Sequence, residues 1–353
     1  MKTGVSVYLD LIRGIAAIEV FLAHFGYPKF GDTLQILKPY AHLAVIAFFV
    51  ISGYVIAYVS SEKESDIVSY SISRATRIYS VAIPALIITA GIDIFLQTKG
   101  IMHVSYQFAQ PWKYIPLFLV FGTDWWFLSE DAFSNAPYWS LSYEVWYYAL
   151  FAAYLYFTGQ KRFLLCAAIL LLVGPRSWLL LPVWLSGVWL YHFHANSTWP
   201  SSEATKARAI WGVTLVVLII VLVTKFYEVP SDVLYMIIGE NIRHWLRYSQ
   251  YFLGDYLVAF LIVMNIAVIP GCRFHFGFFE RPIRYMAMLS FSLYLFHYPL
   301  LEFFSQWFRS LPLAIAVIVS VWGLTVMTEW FRMTMRSRAV AIFKLPRVKV
   351  RHS

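Results

Sequence analysis

Long apolar runs separated by short polar breaks make up most of this chain. Ten runs reach or approach membrane length, at roughly 8–27, 41–60, 78–98, 138–158, 162–175, 178–194, 209–227, 249–269, 285–305 and 312–333. A helix needs about 20 mostly apolar residues to cross about 30 Å of hydrocarbon. The pattern therefore predicts an all-α, polytopic membrane bundle of about ten transmembrane helices. An eleventh stretch, Trp112–Leu128, is short and is bounded or broken by Pro111, Asp124 and Glu130. It is expected to be an interfacial or re-entrant piece of a long outer loop.

Charge orients the bundle. With ten spans, the loops on the side of the N-terminus hold 17 Lys and Arg residues and the opposite loops hold nine. Basic residues accumulate on the cytoplasmic side of membrane proteins, so both termini are expected in the cytoplasm. Counting 112–128 as a span would bring the acidic 124–137 loop inside and move Lys161 and Arg162 outside.

Composition agrees. The 353 residues are 60% hydrophobic and only 13% charged, with a mean hydropathy of +0.64. A soluble domain is nearer a quarter charged, so a soluble enzyme, a disordered chain and a fibrous repeat are excluded. The net charge of +9 is explained by topology and requires no nucleic-acid partner. Cys166 and Cys272 stand in separate segments, without metal-ligand spacing, so neither a disulfide framework nor a metal site is expected. The first run contains Asp10, Arg13, Glu19 and His24 and no small-residue cleavage site follows, so it is expected to remain uncleaved. The organisation expected is one membrane domain over 1–335 and a basic cytoplasmic tail over 336–353.

Ionisable groups at membrane depth are costly unless they pair or face a polar cavity, which makes each a candidate site. Arg13 and His24 are 11 residues apart, three turns plus about 20°, and share one helix stripe about 16 Å long. Asp10, three residues before Arg13, is placed to pair with it. Histidine is the side chain best suited to take a proton near neutral pH. An interfacial ion pair and a buried, satisfied histidine are the plain structural alternatives.

Further candidates follow. Ser52 and Gly53 in the second run would let a slender ligand or another helix come close, and small-residue helix packing is the commoner cause. Arg74 and Arg77, at the cytoplasmic start of the third run, present forked donors suited to phosphate. Lipid headgroups would draw the same charges. Trp139, Ser140, Ser142 and Glu144 open the fourth run, and Ser140 and Glu144 are four apart on one face. His297, in the ninth run, precedes Pro299, which is expected to kink its helix and free carbonyls. Trp112, Trp125, Trp126 and Tyr138 of the outer loop suit sugar stacking or interfacial anchoring.

As a set, Asp10-x-x-Arg13-Gly14 with His24, Phe49-x-x-Ser52-Gly53, Arg74-x-x-Arg77, Trp139-Ser140-Leu141-Ser142-x-Glu144 and Ser292-Leu293-Tyr294-Leu295-x-His297-x-Pro299 resemble the acyltransferase-3 family of bacterial integral membrane O-acyltransferases. The resemblance runs from about residue 5 to 335. It departs where Val145 follows Glu144 in place of a second carboxylate, and at Glu19, where an aliphatic residue is usual. The hydrolase-like domain fused to some members is not expected here.

The resemblance implies transfer of an acyl group, usually acetyl from acetyl-CoA, to a sugar hydroxyl at the bacterial inner membrane. His24 would be the general base, with a covalent acyl-His intermediate as the alternative, Glu144 would orient it or the acceptor, and Asp10 and Arg13 would complete the catalytic set on the same helix. Arg13, Arg74, Arg77, Ser52 and Gly53 would hold acyl-CoA. Trp139, Ser140, Ser142, Glu144 and His297 would meet the carbohydrate acceptor, with membrane lipids around the bundle. A succinyl or longer donor, a small-metabolite acceptor, and a transporter or flippase for a lipid-linked sugar are the competing readings.

Overall fold

The computed structural model describes residues 3–30, 34–64, 66–101 and 106–343. Each of the ten apolar runs coincides with one helix: α1 (Thr3–Phe25), α2 (Ala41–Glu62), α3 (Ile67–Thr98), α5 (Trp139–Tyr156), α6 (Gly159–Val173), α7 (Pro175–Asn196), α8 (Ala204–Val223), α11 (Phe252–Ala267), α13 (Glu280–Phe304) and α14 (Ser310–Ile342). Between them lie the shorter α4 (Pro111–Leu119), α9 (Val229–Ile238), α10 (Glu240–Leu246) and α12 (Ile269–Cys272). Among the described residues there is no strand, only an isolated bridge between Ala132 and Asn135. Among the described residues five helical stretches are long and apolar enough to cross a membrane: Gln35–Glu62, Ile67–Thr98, Ala204–Val223, Glu240–Cys272 and Ser310–Ile342.

Several boundaries differ from the apolar runs for local reasons. The third helix starts 11 residues early, because the Asp66 carboxylate accepts the backbone N–H groups of Val68 and Ser69 at 2.9 Å each, satisfying donors that would otherwise be orphaned at the helix start. α14 continues past residue 333 to Ile342, so the expected basic tail begins inside a helix. Residues 344–353 of that tail, with four of its six basic side chains, lie outside the described residues, as does Lys2. The stretch 112–128 forms no single helix. α4 ends at Leu119, and its nine residues reach only about 13 Å.

The site depends on how a few helices cross. α1 packs on α13 and α2, and α2 on α7. A Cβ on Gly53 would meet the Trp184 carbonyl oxygen at 2.0 Å, and one on Gly187 would meet the Val50 oxygen at 1.9 Å. The two glycines therefore let α2 and α7 touch backbone to backbone. Pro299 sits inside α13 without ending it. Proline has no N–H to give the carbonyl four residues earlier, and the Leu295 oxygen instead accepts Nδ2–H of Asn135 at 2.9 Å. That bond ties the loop between α4 and α5 to α13 two residues from His297. The same loop is held to α3 by Ser134, whose N–H and Oγ–H reach the Asp93 carboxylate at 2.9 and 2.6 Å. A buried Asp124–Arg176 pair at 3.0 Å ties it to α7.

Candidate active site

The α1 stripe carries its two candidates, Arg13 and His24, to two places. Arg13 lines a narrow cavity of about 60 Å³ among α1, α2, α3, α5 and α13, whose polar wall also includes Arg77, Ser52, Ser140, Glu144 and Tyr294. Helix spacing brings Ser140 and Glu144 to this wall together, four residues apart on α5. Among the described residues, neither Arg13 nor Arg77 has a carboxylate oxygen within 4.0 Å. Two guanidiniums thus share one cavity without a directly bonded anion, an arrangement that favours an anionic guest.

Opposite them, Glu144 is fixed from two sides. Ser52 Oγ donates to its Oε1 at 2.6 Å, and the Tyr148 hydroxyl donates to the same oxygen. Ser52 and Tyr148 oxygens are 2.9 Å apart. The far wall is Tyr294, whose hydroxyl lies 2.8 Å from Ser140 Oγ and 2.9 Å from the Pro137 oxygen. One turn further along α13, His297 has its ring 6.4 Å from that of Tyr294.

His24 and His297 meet directly. Nδ1 of His24 is 3.0 Å from Nε2 of His297, with ring centroids 5.0 Å apart. Each imidazole also places Nδ1 near the carbonyl four residues back on its own helix, Val20 at 2.9 Å and Leu293 at 2.8 Å. Tyr27 and Tyr298 stand edge-on to His24, both at 5.2 Å. His297 is fully buried, whereas His24 is half-buried.

Several expectations are corrected. Asp10 has its carboxylate on Arg284 across the α1–α13 contact at 3.1 Å, and no nitrogen of Arg13 lies within 4.0 Å of it. Arg74 is buried and its Nη2 donates to both oxygens of Glu64 at 2.8 and 2.7 Å, while its Nε is buried without a hydrogen-bond partner among the described residues; it does not line the cavity. Gly53 serves the α2–α7 crossing. Trp139 stacks on Tyr248 at 4.1 Å between centroids, and the Ser142 hydroxyl bonds to Thr123. Both are packed behind the cavity. Glu144 is bonded to Ser52 and Tyr148, and the side chain bonded to His24 is His297. Between α3 and α5, Tyr138 is buried, with its hydroxyl on the Phe118 oxygen, while Trp112 is exposed.

Sequence reasoning overlooked Tyr148, Tyr294, Arg284 and Glu64. The first two were within reach, since Tyr148 is four residues after Glu144 and Tyr294 three before His297. Arg284 and Glu64 carry no comparable signal, because their partners lie on other helices or across a turn.

A helical bundle with unpaired arginines and paired histidines at depth defines a class, and comparison with known proteins gives the family. The family model described as an acyltransferase domain matches residues 6–328. The chain belongs to the acyltransferase-3 family. It is similar to "Putative O-acetyltransferase SACOL0978" of Staphylococcus aureus strain COL, to "Putative O-acetyltransferase SAS0844" of strain MSSA476 and to "Putative O-acetyltransferase SAR0937" of strain MRSA252. Each is 22% identical over 342 residues, covering 85% of this chain and 51% of the relative. The chain thus spans about half the length of these curated relatives. No solved structure matches it.

Proposed function

We propose that this protein is a membrane O-acyltransferase. It moves an acyl group, most simply acetyl, from cytoplasmic acyl-CoA to a hydroxyl of a periplasmic or cell-surface carbohydrate such as O-antigen or exopolysaccharide. In this reading it crosses the bacterial inner membrane ten times, with both termini in the cytoplasm. The observation that carries the proposal is the cavity itself. Its polar lining includes Arg13, Arg77 and Tyr294, and the Tyr294 ring lies 6.4 Å from that of His297, the partner of His24. Acyl-CoA has the matching shape, with phosphates for the guanidiniums and a slender arm that passes Ser52 and Glu144 towards His24.

The chemistry balances without a cofactor. His24 takes the proton from the acceptor hydroxyl as its oxygen bonds to the acyl carbon. The carbon–sulfur bond then breaks, and the proton passes from the imidazole to the leaving thiolate. Ester and free CoA are the products. Ser140 and Glu144 are the polar groups available to an acceptor entering the cavity.

The test is CoA release from acetyl-CoA by the purified protein in nanodiscs, with and without an oligosaccharide acceptor, and mass spectrometry of the acceptor. Acceptor-dependent CoA release with acetylated product is expected. Movement of a lipid-linked sugar across vesicles with no CoA released would replace this reading with the transporter.

A further inference from the structure

His297 touches His24 through one nitrogen, and the two backbone carbonyls determine which proton lies between the rings. A carbonyl oxygen can only accept a hydrogen bond. Nδ1 of His297, 2.8 Å from the Leu293 oxygen, therefore carries a hydrogen. Nδ1 of His24, 2.9 Å from the Val20 oxygen, carries one as well. In the neutral pair each Nε2 is then a bare lone pair. The 3.0 Å contact is accordingly His24 Nδ1–H donating to His297 Nε2, with the Val20 oxygen sharing the same hydrogen. The opposite arrangement would set two lone pairs against two carbonyl oxygens at under 3 Å, inside a buried cluster where such repulsion is little screened.

From this we infer that His297 is a positioning residue for His24: it accepts Nδ1–H, fixes the ring's tautomer and rotation, and leaves His24 Nε2 as the nitrogen that takes the acceptor's proton. The inference rests on the acyl-transfer reading only for its catalytic consequence. The tautomer is a property of the resting protein.

The arrangement has the logic of a base held by a third group that accepts from its other nitrogen. Here the third group is a neutral imidazole in place of a carboxylate. When His24 becomes cationic, its Nδ1–H bond to His297 strengthens, since hydrogen bonds from a charged donor are the stronger ones. His297 itself is held by its own carbonyl bond and by packing: its ring meets Phe21 at 6.3 Å and is fully buried. The bond from Asn135 to the Leu295 oxygen secures that turn of α13 from the loop side. No second rotamer of His297 is needed for the role.

Two measurements on the intact protein test this. The first is ¹⁵N NMR of histidine-labelled protein in nanodiscs, with His24→Ala and His297→Ala to assign the signals. The expected result is a protonated Nδ1 and an unprotonated Nε2 for both residues at neutral pH. Protonation of His24 at Nε2 would overturn the inference whether or not the protein transfers acyl groups. The second is kinetic. His297→Leu, which removes the acceptor, should lower kcat by about 100-fold, within the range of general-base contributions, with little change in KM for acyl-CoA. His297→Gln places an amide oxygen where Nε2 stood and should recover most of that loss. Equal activity of His297→Leu and wild type, or a Gln variant as impaired as the Leu variant while both fold and bind acyl-CoA, would reduce His297 to packing. A wild type with no transfer activity would instead refute the enzymatic reading and leave the NMR result to decide the tautomer.

Discussion

Arg74 gives one guanidinium nitrogen to both carboxylate oxygens of Glu64, at 2.8 and 2.7 Å, and both side chains are buried. Arg77, one turn later on the same helix, faces the cavity and has no such partner among the described residues. Two arginines that look alike in sequence thus separate into one paired with a carboxylate and one that lines the cavity. Removing one member of a buried pair costs about 3–5 kcal/mol. Arg74→Ala and Glu64→Ala should therefore both lower thermal stability strongly in detergent. Arg77→Ala should leave the melting temperature near wild type and weaken acyl-CoA binding by roughly 10- to 100-fold, the scale of a charged hydrogen bond. Calorimetry with a non-hydrolysable acyl-CoA analogue separates the two, and a reversed pattern would reassign the arginines.

The α2–α7 crossing makes a second prediction. Gly53→Ala and Gly187→Ala each put a methyl about 2 Å from a carbonyl oxygen of the facing helix, and backbone cannot move aside as a side chain can. Overpacking of this kind costs typically about 1–3 kcal/mol. Each variant should melt below wild type. A Gly53→Ala protein that keeps its stability but loses acyl-CoA affinity would return Gly53 to the ligand path.

Asp10 and Arg284 join α1 to the first turns of α13 at 3.1 Å, with both side chains partly exposed. Exposed pairs contribute about 0–1 kcal/mol. Asp10→Asn and Arg284→Ala should thus be mild singly, and their double variant no worse than the more affected single one. Full additivity in the melting temperatures would show that the pair does not form.

Glu19 lies in α1 with Oε1 buried and without a hydrogen-bond partner among the described residues. An unsatisfied buried polar atom costs about 1–3 kcal/mol. Glu19→Leu is expected to raise thermal stability while leaving acyl transfer intact. Loss of transfer with unchanged stability would give Glu19 a functional task.

Most of the helices were legible because membrane thickness imposes a length that shows in any apolar run, and every run became a helix. Their ends were less so, since Asp66 capping and the polar continuation of α14 lie outside the apolar pattern. Within the site, spacing along one helix was reliable: Ser140 and Glu144 share the cavity as their i, i+4 separation required. Partners across helices were not. Asp10 could pair with Arg13 by spacing, yet Arg284, 274 residues later, holds it. The His24–His297 contact spans 273 residues and leaves no periodic trace. Gly53 and Arg74 fitted their motifs equally well as packing and as ligand groups, and only the facing helix and Glu64 decide between those.

The central claim is that His24 takes the proton from the acceptor. The most direct measurement is single-turnover acetyl transfer by purified His24→Ala protein that still binds acetyl-CoA as wild type does, with thioester hydrolysis followed in parallel. Transfer slower by about 10²- to 10⁴-fold, the usual contribution of a general base, with unchanged acetyl-CoA affinity is the expected result. Transfer at the wild-type rate would contradict the account.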